Sequence, residues 1–146
     1  MCSQTVTIYH VRYGNKGEFA CDQWELERVF FDSTLNRATD QSGSRLTSGF
    51  LLVIPNQSPL PLWKDGIAFD AMKPEQRQGW YTLQPGDKVV LGKGPIVETR
   101  GQWAEMVHEK MDNLAIVRCV NVKRLGNKIC HVEFEGWRSY SPRKSR

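Results

Sequence analysis

The chain of 146 residues is 40% apolar and 25% charged, values of an ordinary soluble globular domain, and it is long enough for one proper core and short for two. Its longest apolar run, Phe50 to Ile54, falls far below the roughly 20 residues that cross a bilayer as a helix, so no membrane segment is expected. The start, Met1-Cys2-Ser3-Gln4, has no basic stretch followed by an apolar one, which predicts no secretory signal and a chain that stays in the cytoplasm where it is made.

The charge is unevenly placed. Of 20 Lys and Arg, four (Arg138, Arg143, Lys144 and Arg146) lie in the acid-free last nine residues, leaving 16 against 16 Asp and Glu, so the tail carries the whole formal +4. A segment RSYSPRKSR cannot bury apolar surface. It is expected to be a flexible, partner-binding tail (138–146) outside a single domain (1–137), with a solubilising end as the alternative. Cysteines at 2, 21, 119 and 130 form no CxxC pair, and histidines at 10, 108 and 131 fall at no ligand spacing. No metal, cofactor or redox role is expected, only small buried or near-surface thiols.

In chain order, Thr5 to Tyr13 is dense in β-branched and aromatic residues and ends at Gly14-Asn15-Lys16-Gly17, a strand and a turn. Glu18 to Phe31 alternates in part, with Ala20, Trp24 and Leu26 on one parity, until Val29-Phe30-Phe31 breaks the pattern; a long bent strand is predicted. Residues 32–47, rich in Ser, Thr, Asn and Asp, read as a long loop in which order would imply a partner. The continuous apolar run from Gly49 to Pro55 predicts a strand buried on both faces, the best core candidate. A second long loop follows over 55–79, with one helical turn near Lys73 to Gln78 and with Leu60, Leu62, Trp63, Ile67 and Phe69 too apolar to be left in water. The stretch GWYTLQPGDKVVLGKG, Gly79 to Gly94, is turn-then-strand chemistry, with Pro85-Gly86 at the turn and Val89-Val90 in the strand. Thr99 and Gln102 form a capping box, and Trp103, Met106, Val107, Lys110 and Met111 follow at helical spacing, a stripe that faces a core, with His108 beside it. Leu114 to Lys123 is a strand with Ala115, Val117 and Cys119 on one parity, and a turn over Leu125 to Lys128 returns it as a strand with Cys130, Val132 and Phe134 inward and His131 outward. These elements predict a mostly β fold, a small antiparallel barrel or sandwich of six to seven strands with one packed α-helix.

VTIYH, LLVIP, GWYTLQPGDKVVLG, ETRGQWAEMVHEKMDN and VRCVNVKRLGNKICHVEFEG, in order over residues 5–136, resemble a family of small proteins in the head-tail gene cluster of tailed phages and prophages, often labelled minor capsid. The gene-cluster position and the strand pattern resemble head-closure (stopper) proteins. The resemblance implies a structural virion protein at the head-tail neck that joins the portal and adaptor to the tail and retains packaged DNA. It implies a homo-oligomeric ring, twelve-fold for a stopper or adaptor and six-fold for a tail terminator, with other neck proteins as partners, non-specific contact with packaged DNA, no membrane and no cofactor. Under it, Leu60, Leu62, Trp63, Lys64, Phe69, Lys73 and Arg77 are the candidate channel or intersubunit loop, replaceable by a short linker without loss of the barrel.

An enzyme is not expected. No GxSxG elbow occurs, Gly92-Lys93-Gly94 runs into proline rather than into a helix and so is no phosphate loop, and Glu133 and Glu135 on one strand face read as solvated. The competing class is a small β-barrel that binds single-stranded nucleic acid through Trp63, Trp80 and Tyr81 with lysines alongside.

Overall fold

The computed structural model describes residues 4–13, 16–40, 43–109 and 114–138, and the side chains of all of these but 33–48, 109 and 138. The elements are β1 (Gln4–Tyr13), β2 (Phe19–Asp40), β3 (Gly43–Pro55), β4 (Leu62–Trp63), α1 (Gly66–Ala71), a 3₁₀ turn (Pro74–Arg77), β5 (Trp80–Tyr81), β6 (Lys88–Leu91), α2 (Arg100–Glu109), β7 (Leu114–Leu125) and β8 (Lys128–Arg138). Six antiparallel strands pair in the cyclic order β1-β2-β3-β8-β7-β6 and close on themselves, while β4 and β5 form a separate parallel pair. The predicted mostly β fold with a packed helix is the observed one.

Alternation fills the interior. Val6 and Ile8 of β1, Leu26 of β2, Phe50, Leu52 and Ile54 of β3, Val89 of β6, Ala115 and Val117 of β7, and Val132 and Phe134 of β8 form one buried cluster. On the outside, α2 lays Met106 and the half-buried Trp103 and Val107 over Tyr9, Val90, Val97 and Leu114. Its start is the expected box: the Gln102 N–H donates to Thr99 Oγ1 at 3.1 Å and the Thr99 N–H to Gln102 Oε1 at 3.2 Å. His108 is exposed, as expected, whereas Lys110 and Met111 lie outside the described residues.

The strand buried on both faces is β1, not Gly49–Pro55. Every residue from Val6 to His10 is buried, because α2 and the segment after β6 cover the outer side. There Thr7 Oγ1 donates to the Gly92 carbonyl at 2.9 Å, and the Tyr9 hydroxyl to the Pro95 carbonyl at 2.8 Å. Among the described side chains of β3 only Phe50, Leu52 and Ile54 are buried, and Leu51 and Val53 point outward, half-covered.

Three bulges explain where parity fails. Arg28, at φ 65°, sits between the pairs Gln4↔Val29 and Val6↔Leu26, which bends β2 as expected and returns Val29 and Phe31 to the interior. A register shift between Val117 and Cys119 turns Cys119 outward, and one opposite Lys123/Arg124 leaves Cys130 out of the ladder and exposed. The expectation that Cys130 faces inward is thus corrected, and Cys119 departs from the buried parity of Ala115 and Val117. The Pro85-Gly86 turn has the Asp87 N–H donating to the Gln84 carbonyl at 2.9 Å with Gly86 at φ 96°, the type II geometry that favours glycine there.

Residues 32–47 are not a loop. β2 and β3 stay paired from Phe30↔Val53 to Asp40↔Gly43. The polar composition hid this because no apolar alternation marks the stretch, while the backbone ladder that pairs it can form with any side chains. Arg138 pairs with Ala115 and Ser48, so the domain extends one residue past the expected boundary. Residues 139–146, with Arg143, Lys144 and Arg146, lie outside the described residues.

Candidate functional site

β3 and β6 lie opposite each other in the ring of six, so the chain that links them has to cross one mouth of the barrel. The crossing segment, about residues 56–87, is a plug. Tyr81 and Leu83 are fully buried in the barrel cluster, and Leu60 and Trp63 pack against it. Rings continue from plug to wall: Phe69 meets Trp24 at 5.7 Å between centroids, Trp24 meets Tyr81 at 6.2 Å, and Tyr81 meets Phe134 at 6.5 Å. Polar bonds fix its path. The Asn56 N–H donates to the Cys130 carbonyl at 3.0 Å, Asn56 Oδ1 accepts from the Trp63 N–H at 2.8 Å, and Asp65 caps α1 by accepting from the Ile67 N–H at 3.1 Å.

This placement revises the reading of 55–79 as a channel or intersubunit loop. Phe69 is 1% exposed, covered by its own barrel, and Leu60, Leu62 and Trp63 are half-buried on it. Four of the apolar side chains expected to need cover thus have a home in the chain itself, whereas the fifth, Ile67, is left 84% exposed, contrary to that expectation. Arg77 donates through Nε to the Phe69 carbonyl at 3.2 Å and through Nη2 to the Asp70 carbonyl at 3.1 Å, so it caps α1 rather than facing a channel. Lys64 holds its ammonium 4.1 Å from the Trp80 ring centre. Of the seven residues, Lys73 alone is exposed. A short linker in place of the plug would uncover the barrel interior, contrary to the expectation that the loop is dispensable. Tyr81 is likewise buried, so Trp63, Trp80 and Tyr81 form no stacking platform for bases.

Between the plug and β2 runs an open groove of 590 Å³, lined by Trp24, Leu26, Pro59, Leu60, Leu62 and Trp80 among others, with Glu25 and Arg77 at its charged positions. Beneath α1 is a polar cluster that the sequence reading passed over. His10 is 5% exposed and touches two carboxylates, Nδ1 to Asp87 Oδ2 at 2.7 Å and Nε2 to Asp70 Oδ1 at 3.0 Å. Asp87 Oδ2 also accepts the Gln84 N–H at 2.8 Å, and Arg12 Nη2 donates to Asp22 Oδ2 at 2.8 Å. Burial works against a charged His10, but the hydrogen bonds and charges of Asp87 and then Asp70 prevail and raise its pKa above 6.5. The available signal was parity: His10 and Arg12 continue the inward set Val6 and Ile8. No group of three or more His, Cys, Asp or Glu with the spacing to hold a metal occurs among the described residues.

At the other mouth, β2 and β3 run on past their neighbours. β1 pairs with β2 no further than Val29, and β8 with β3 no further than Ser48. Residues 36–40 and 43–47 therefore pair only with each other among the described residues, a two-stranded arm whose five residues per side span about 17 Å. At its base the outward rows Asp32↔Leu51↔Glu135 and Phe30↔Val53↔Glu133 run across three strands. Phe30 and Trp137 there are 38% and 45% exposed. The chain matches, over residues 1–137, the model of a family of unknown function, DUF6751. No curated protein and no solved structure matches it.

Proposed function

We propose a function for a chain that belongs to the DUF6751 family, whose function is unknown: a non-catalytic structural protein of a tailed-phage virion, the head-closure (stopper) connector that joins portal and adaptor to the tail and retains packaged DNA. The adaptor and the tail terminator of the same neck are the alternatives within this reading, and they differ in ring stoichiometry. The resemblance of the motifs supplies the class. The single observation that carries the reading is the arm: a two-stranded hairpin whose outer edges meet no further strand among the described residues is marginal in water on its own, and strand edges of this kind pair with other chains. The intersubunit role first expected of residues 55–79 thus passes to residues 36–47.

The test compares the full chain with one in which residues 37–46 are replaced by Asn-Gly, keeping the pair Asn36↔Thr47. Native mass spectrometry of the full chain, alone and mixed with tailed-phage portal, adaptor and tail-terminator proteins, is expected to find a ring. The short-arm chain is expected to keep its melting temperature and stay monomeric. A full chain that remains monomeric with those proteins, or that instead binds oligonucleotides with a steep salt dependence, overturns the proposal, the second result in favour of a nucleic-acid-binding module.

A further inference from the structure

The imidazole of His10 is held between two carboxylates that belong to different parts of the molecule. Asp87 precedes β6 and is part of the barrel wall, 9% exposed, whereas Asp70 is on α1 and its side chain is 40% exposed. A neutral imidazole has one N–H and one bare lone pair, so it can donate to only one of the two. Both contacts are attractive together only when both ring nitrogens carry protons.

We propose that His10 is the latch of the plug: as the imidazolium it ties α1 to the barrel, and on losing a proton it lets α1 and Phe69 lift from the mouth while the barrel stays folded. The proton that remains belongs on Nδ1, because the Asp87 contact is the shorter and the more buried and Asp87 is fixed by the Gln84 N–H. Nε2 then turns a lone pair toward the Asp70 carboxylate. Asp70, half in water, is the side that yields.

The other groups around the ring leave the balance with these two carboxylates. Arg12, next inward on β1, is engaged by Asp22 of β2 at 2.8 Å and reaches Asp70 only at 3.7 Å. Arg77 bonds backbone carbonyls of α1, and Phe69 presents its ring edge-on to His10 at 6.0 Å. Lys88 follows Asp87 but lies over Trp103 on the outer face. The Cys21 thiol is pushed up to about 12 by burial and by Asp22 and Asp87, so it stays neutral. A histidine whose folded pKa is raised contributes stability that is complete below its unfolded value of 6.5 and is lost as pH rises through the folded value. The latch therefore opens on the alkaline side.

Nitrogen NMR of the full chain labelled at histidine, followed from about pH 5 to about pH 9, reads the ring directly. His10 is expected to carry protons on both nitrogens at pH 6.5 and to titrate above it. Over the same interval the Phe69 amide, which donates to the Asp65 carbonyl, should lose protection from exchange by on the order of ten- to hundredfold, the worth of one charge-assisted hydrogen bond, while the Ile8 and Val89 amides keep theirs. In Asp70→Asn the amide can accept from or donate to Nε2, so Phe69 protection should no longer follow His10. A His10 that titrates at or below 6.5, protection lost at Phe69 only together with the barrel, or the same pH dependence in Asp70→Asn would each overturn the proposal.

Discussion

Phe69→Ala decides whether residues 55–79 belong to this barrel or to a neighbouring subunit. The ring is 1% exposed, edge-on to Trp24 at 5.7 Å and to His10 at 6.0 Å, with the Arg77 guanidinium 5.1 Å from its centre. A phenylalanine of this burial removes about 200 Å² from water, about 5 kcal/mol at 25 cal/mol per Å², and core Phe→Ala changes cost about 3–5 kcal/mol. Each kcal/mol lowers the melting temperature of a domain this long by about 2–4 °C, so a fall on the order of 10 °C is expected. The assay is thermal unfolding at two protein concentrations tenfold apart. The fall should be the same at both, since the cavity opens within one chain; Phe69→Leu should recover most of it. A loss below about 2 °C, or one seen only where the chain is assembled, would show that Phe69 is not seated in its own barrel.

Met106→Ala should cost about 2–5 kcal/mol in urea unfolding, and Trp103→Ala less than the about 3–5 kcal/mol of a fully buried aromatic, because Trp103 is half-exposed; equal stability of both variants with wild type would mean that α2 does not cover the barrel. Gly136→Ala should fail to give folded protein, since an added Cβ would collide with the Ile116 carbonyl and lie 2.9 Å from the Phe50 ring, whereas Gly126→Ala, at φ 65° with open space around it, should cost only about 1 kcal/mol of left-handed strain; a well-folded Gly136→Ala chain refutes the close approach of β8 to β7. Alkylation at about pH 8 should label the exposed Cys119 and Cys130 and spare Cys21, whose thiol burial holds at about 12. Peptide mass mapping would contradict this if Cys21 reacted at a similar rate.

The β class, the helix and the last hairpin were legible because each has a local cause: the box at Thr99 and Gln102, the glycine-dependent turns at Gly86 and Gly126, and alternation at Phe50, Leu52 and Ile54. What failed was non-local. Cys119 and Cys130 point outward because bulges, set by the partner strand, shift their register. The arm was invisible since its sequence carries no alternating apolar pattern, and α1 because six residues are too few for a helical stripe to repeat. Leu60, Trp63 and Phe69 were rightly judged to need cover, but which surface supplies it depends on β3 and β6 being opposite each other. His10 likewise acquires its carboxylates from residues 60 and 77 positions away.

That opposition has a kinetic side. The hairpins β1-β2, β2-β3 and β7-β8 join near neighbours in sequence, whereas the ring is sealed by pairing Thr7 with Val90 and Leu52 with Phe134, contacts whose loop-closure entropy makes them slow to form. The plug is threaded between the two seams and has to lie over the opening before both are shut. Refolding should thus include a late phase whose rate responds to substitutions at Tyr81, Trp63 or Phe69 and is indifferent to the length of the arm, so that the mouth of the barrel acts as a checkpoint in assembly of the monomer.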